Sequence, residues 1–154
     1  MEMKIDNPLT APLQVFMSDH MQLGDVLAAL LEFTGPARLT VSTFSCGEEF
    51  LTRLFRLKRK GLVLFASLYA DMKAAEKTAR ISPMMKSVYD EVFLCANHSK
   101  VMIIESGRMT VCVLSSQNQT RGNRMESYVI LHSAEVARTL KETFVQLKAA
   151  CLWR

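Results

Sequence analysis

Apolar and polar positions change period along the chain, and each change marks an element. Residues 1–17 carry Pro8 and Pro12 and sustain no period, which predicts an irregular or extended arm. From Ser18 the spacing becomes helical. Met21, Val26, Leu27, Leu30 and Leu31 fall on one side of a helix that Ser18 can cap and that runs to about Phe33. Thr34-Gly35-Pro36 stops it, and Ala37 to Phe44 then alternates as a strand. Ser45 opens a second helix to about Lys60, with Phe50, Leu51, Leu54, Phe55 and Leu57 as its apolar side. Its closing turns hold Arg53, Arg56, Lys58, Arg59 and Lys60, which suits the negative end of a helix, and Gly61 ends it.

Leu62 to Ser67 is a short apolar run that reads as a buried parallel strand. Asp71 to about Arg80 reads as helix, and Pro83 interrupts the chain soon after. Ser87–Cys95, Lys100–Ile104 and Met109–Leu114 follow as three strands in quick succession, the last two joined by the turn Ser106-Gly107-Arg108. A polar segment, Ser115 to Arg124, leads into a strand from Glu126 to Leu131. Ser133 then caps a final helix, with Glu135 near its start, reaching about Cys151. The order predicts an α/β fold: a mixed central sheet flanked by helices on both faces. Residues 1–36 form an N-terminal arm and helix, and 37–154 the main domain, in one compact domain overall.

Composition narrows the class. The chain has 154 residues, 49% hydrophobic and 22% charged, which excludes disorder, collagen-like repeats and a disulfide-stapled miniprotein. Cys46, Cys95, Cys112 and Cys151 contain no CxxC pair, so a zinc site has no basis, and reduced thiols in a cytoplasm are expected. The longest nearly apolar run, Leu62 to Ala70, is far short of the roughly 20 residues that span a bilayer. Met1 to Asp6 lacks a secretory n-region, so a cytoplasmic protein without a membrane partner is the expectation. The net charge of +4 lies wholly in residues 61–154, which hold twelve basic and eight acidic side chains. That excess is compatible with a phosphate-bearing partner.

One constellation carries chemistry. His98-Ser99-Lys100 begins a strand, and residues two apart on a strand point to one face, so imidazole and ammonium project together. Ser116 and Asn118 repeat that spacing after the next strand, and Glu126 opens the strand after that. Arg121 and Arg124 flank the group, with no acid between Arg108 and Glu126, and are candidate contacts to a nucleic-acid backbone. His20 and His132 have no motif around them and read as surface or capping residues.

The pattern resembles the phospholipase D superfamily, whose signature is His-x-Lys-x4-Asp followed by Gly-Ser-x-Asn and an acidic residue. It reads here as His98-Ser99-Lys100 through Glu105, then Ser115-Ser116-Gln117-Asn118, then Glu126. The order of elements from Ala37 onward is similar to the small single-motif bacterial endonucleases of that superfamily. Glu105 stands in place of the Asp, and Ser115 in place of the Gly. Seven residues from His98, Glu105 faces away from the imidazole on an unbroken strand and reads as a structural carboxylate.

The resemblance implies a phospholipase D-like domain over 37–154 and a phosphodiesterase that needs no metal or cofactor. It implies His98 as nucleophile through a phosphohistidine, with a second His as acid. Lys100, Ser116 and Asn118 would face the phosphate oxygens, and Glu126 would hold an imidazole in its productive tautomer. One motif per chain then implies a homodimer with the active site on its two-fold axis. DNA is the expected substrate. A non-catalytic nucleic-acid-binding or assembly module is the alternative. Phospholipid hydrolysis is a further one, which would need an apolar face that only the Ser18–Phe33 helix could offer.

Overall fold

The computed structural model describes residues 4–77 and 79–151. In chain order the elements are β1 (Leu13–Ser18), α1 (Leu23–Thr34), β2 (Ala37–Thr43), α2 (Glu48–Arg59), β3 (Val63–Asp71) and α3 (Met72–Lys77). A short 3-10 turn (Ala79–Ile81) leads to α4 (Ser82–Val88), β4 (Glu91–Cys95), β5 (Val101–Glu105), β6 (Thr110–Ser115), β7 (Glu126–His132) and α5 (Ala134–Ala150). The strands form one sheet ordered β1-β7-β6-β5-β2-β3-β4. β2, β3 and β4 are parallel, as expected of strands joined through helices, while β5, β6, β7 and β1 are antiparallel.

The sheet is packed on both faces, as the sequence predicts. On one face α1 and α2 bury Val26, Leu27, Leu30, Leu31, Leu51 and Leu54 against Leu39, Val41, Leu68, Met102, Ile104, Val113 and Tyr128. On the other, α5 lays Ala137 and Phe144 over Tyr69, Phe93, Val101, Ile103 and Cys112. Alternation along β5 sorts Met102 and Ile104 to the first face and Val101 and Ile103 to the second. Gly35 and Gly61, with φ of 69° and 72°, follow α1 and α2 in the left-handed region that glycine enters without strain.

Several expectations change. Residues 13–18 of the expected arm are strand β1, paired residue for residue with β7 from Leu13–Leu131 to Ser18–Glu126. Ser18 therefore ends a strand and does not cap a helix. Its hydroxyl accepts the N–H groups of His20 and Met21, and α1 starts five residues later behind Gln22, whose N–H is held by Asp25. α2 starts at Glu48 and not Ser45, and β3 runs on to Asp71. Ser87 and Val88 are helical, because Pro83 sits in the first turn of α4, where its missing N–H costs nothing. The apolar side of α1 is core, so the helix has no apolar face to offer a lipid.

Candidate active site

His98, Lys100, Ser116, Asn118 and Glu126 meet at one end of the sheet, where β2, β3, β4 and β6 finish and β5 and β7 begin. His98-Ser99-Lys100 lies in the loop just before β5 and not in the strand itself. Ser115 N–H donates to the Lys100 carbonyl at 3.0 Å, so the β5–β6 ladder continues one step into the loop.

The loop is fixed from beneath by residues that sequence reasoning missed. Asn97 is 7% exposed and uses its whole side chain. Its Nδ2 donates to Ser42 Oγ at 2.8 Å and to the Tyr69 carbonyl at 3.0 Å. Its Oδ1 accepts from Ser99 N at 3.0 Å and Ser99 Oγ at 2.7 Å. Asp71, at the end of β3, accepts the N–H groups of Asn97, Lys73 and Ala74. Burial pushes its carboxyl up, but those N–H groups outweigh burial and hold it below the usual carboxylate range. Asn97→Ala leaves Ser42, Ser99 and the Tyr69 carbonyl short of partners. It is expected to lower the unfolding free energy by about 2–3 kcal/mol, read by denaturant titration.

On this base His98 is exposed, with the Phe44 ring 4.8 Å from its own and tilted by 46°. Lys100 folds back so that Nζ donates to the His98 carbonyl at 2.7 Å and lies 3.1 Å from Nδ1. Burial lowers the Lys100 pKa, while the nearby Glu126 carboxylate opposes that shift. Ser116 Oγ donates to Glu126 Oε2 and accepts Ser127 N–H at 3.0 Å. Asn118 Oδ1 accepts the N–H groups of Phe44 and Ser45 at 3.2 and 3.3 Å, leaving its amide nitrogen for a further acceptor.

Between these polar positions the alternation persists. Gln117 and Gln119 turn into the core, 3% and 1% exposed. Gln117 Oε1 accepts Leu23 N–H and the Tyr128 hydroxyl, and Gln119 Oε1 accepts the Tyr89 hydroxyl and the Cys46 thiol. Two buried glutamines thus anchor the segment that presents Ser116 and Asn118. The period-two pattern from 115 to 119 was the signal for them.

The remaining candidates sit as follows. Glu105 is at the opposite end of β5, where both carboxylate oxygens accept from Lys141 of α5 at 2.9 and 3.1 Å. Arg121 reaches Glu49 at 3.6 Å and is largely exposed, as is Arg124. His20 contacts Asp19 at 2.8 Å, and His132 closes β7 at the end away from Glu126. Among the described residues no three His, Cys, Asp or Glu side chains gather to hold a metal ion.

No family model and no curated protein matches the sequence. Solved structures do match the fold. NucT from Helicobacter pylori superposes at a TM-score of 0.72 with 15% identity, over 92% of this chain and 98% of that one. Nuc from Salmonella typhimurium, a phospholipase D family member, gives a TM-score of 0.67 at 18% identity, over 92% and 97%. The chain has the phospholipase D fold. Polyphosphate kinase from Porphyromonas gingivalis shares it at a TM-score of 0.65 and 14% identity, over 91% of this chain and 26% of that much longer one. Across these proteins the phospholipase D fold is kept while sequence identity is low, so what this copy does is argued from its own residues.

Proposed function

We propose that the chain is a phosphodiesterase of nucleic acid, acting on DNA with little sequence preference. It works as a homodimer, by way of a phosphohistidine and without a metal. The observation that carries the reading is the His98–Lys100 pair, 3.1 Å apart at the sheet end where Ser116 and Glu126 meet.

An imidazole that attacks through Nε2 carries its proton on Nδ1 and needs an acceptor there. In the free chain Nδ1 faces the Lys100 ammonium instead. A bound phosphate draws Lys100 to its non-bridging oxygens, where negative charge grows in the transition state. Nδ1 is then free for a carboxylate, and Glu126 is that group. His98 Nε2 forms a bond to phosphorus as the bond to the leaving oxygen breaks, and the His98 of a second copy protonates that oxygen. The same second imidazole then deprotonates a water, which attacks phosphorus and releases His98. The Asn118 amide donates to a phosphate oxygen, and with Glu126 turned to Nδ1 the Ser116 hydroxyl gives up that carboxylate and donates its one proton to the phosphate as well.

The surface supports the second copy. α5 runs across β6 toward β4, leaving the outer side of β1 uncovered, with Leu13, Val15 and Met17 60%, 68% and 63% exposed. The row leads to the site, since Met17 pairs with Ser127 and Ser18 with Glu126. An exposed apolar row of this kind marks a contact surface. Val15→Lys is expected to weaken self-association at least about 100-fold and to leave the thermal midpoint of the monomer unchanged. Sedimentation and calorimetry read the two effects.

Arg121 and Arg124 are exposed beside the site and would contact the nucleic-acid backbone. Replacing either with Ala is expected to weaken DNA binding equally across sequences and reduce the salt slope of log K by about one. Fluorescence anisotropy at several salt concentrations measures it. The function itself is tested by cleavage of DNA in excess chelator with wild type and His98→Ala.

A further inference from the structure

Three residues on one face of α5 step down the inner face of the neighbouring strands. Phe144 stacks on Tyr69, with centroids 4.9 Å apart, and Tyr69 stacks in turn on Phe93 of β4 at 4.9 Å. One helical turn later the Lys148 ammonium lies 4.8 Å from the centroid of that same Phe93 ring. Three residues on, Cys151 closes the helix, its N–H held by the Lys148 carbonyl, and packs against the cluster that contains Cys95. Phe93 and Cys95 are two apart on β4 and share a face, about 6.6 Å along the strand, while the helix advances about 4.5 Å from Lys148 to Cys151. The two periods bring Cys151 over Cys95.

We propose that Cys95 and Cys151 are a redox-active thiol pair that closes to an intramolecular disulfide when the folded protein meets a small disulfide oxidant of the glutathione class. Both are free thiols here, and Cys151 is the one cysteine of four that is not buried. Cys151 is therefore the first to react. Its thiolate attacks one sulfur of the oxidant, whose S–S bond breaks, and one glutathione leaves as a thiolate and takes a proton. Cys95 then gives its proton to solvent and attacks the Cys151 sulfur, releasing the second glutathione. Two electrons pass to the oxidant, and two thiol protons end on the two glutathione products.

Burial and the neighbouring Cys151 push the Cys95 thiol up to about 12, so it is not the group that meets the oxidant, and the second step waits on loosening of the last turn of α5. The bond would tie the end of α5 to the strand that leads into the His98 loop. Cys95 pairs with Asp71 in the sheet, and Asp71 holds the N–H of Asn97.

The test exposes the folded chain to oxidised glutathione at mildly alkaline pH and maps its peptides without reduction. The expected product is a Cys95–Cys151 bond within one chain, with no covalent link to a second chain, and a mass lower by two hydrogens. Its thermal midpoint rises by about 5–10 °C and returns on reduction. Cys151→Ser, a change at a helix end, is expected to abolish the bond and the shift. Cys46→Ser and Cys112→Ser keep both. A glutathione adduct that persists on Cys151 while Cys95 stays reduced overturns the proposal. So does a Cys151 bond between two chains, or oxidation that leaves the midpoint unchanged.

Discussion

Alanine at position 98 is expected to abolish phosphodiester cleavage, lowering the single-turnover rate by at least about 10,000-fold. The size follows from the double use of one residue. In a homodimer the substitution removes the nucleophile from one copy and the proton donor from the other, so neither half of the reaction retains its group. The protein itself should survive the change, because His98 is exposed and the loop beneath it is held by Asn97, Ser99 and Asp71. Rapid acid or alkali quench with end-labelled DNA separates the roles. Wild type should carry label on the chain in an acid-labile, alkali-stable bond, and His98→Ala should carry none. A variant that cleaves within tenfold of wild type would remove His98 from the reaction.

Lys100→Met is expected to lower the maximal rate about 100- to 1000-fold while substrate affinity falls far less, because the ammonium acts most strongly on charge that develops in the transition state. Arginine is expected to restore little of it, since a planar guanidinium cannot take the folded-back position that sets Nζ at 2.7 Å from the His98 carbonyl. The pH dependence has a defined sign. Burial lowers the Lys100 pKa, so the alkaline limb of the rate profile should fall below the ordinary lysine range, activity dropping as pH rises and the ammonium discharges. Glu126 opposes that shift, so Glu126→Gln should move the limb to still lower pH, in addition to slowing the reaction. A pH profile of kcat/KM, which reports the groups of the free protein, checks both, and a limb that stays put in Glu126→Gln would show that the carboxylate does not act on Lys100.

The sheet, its helices and the cluster of signature residues at one sheet end were legible because each rests on local period. β1 was not. Its apolar residues Leu13, Val15 and Met17 point outward, and Gln14 and Ser18 share the inward side with Phe16, so the usual correspondence of apolar with buried is reversed. The last two residues of α4 fall within the expected strand because Ser87-Val88-Tyr89 is β-rich in composition, while packing on α2 keeps Ser87 and Val88 helical. Parity placed Glu105 away from His98, and the structure puts it on α5 through Lys141. The support beneath His98 lay beyond reach. Ser42, Tyr69, Asp71 and Asn97 come from two strand ends and a loop, and their bonds span 26 to 55 residues, a relation that no spacing along the chain expresses.

The most direct measurement is cleavage of plasmid and single-stranded DNA by the wild-type protein in excess EDTA, beside His98→Ala at equal concentration. The account predicts that wild type cleaves under these conditions and that the variant, folded and dimeric, does not. If both bind DNA as dimers and neither cleaves, the chemistry assigned to His98 and Lys100 is contradicted, and the chain is a binding module built on the same fold.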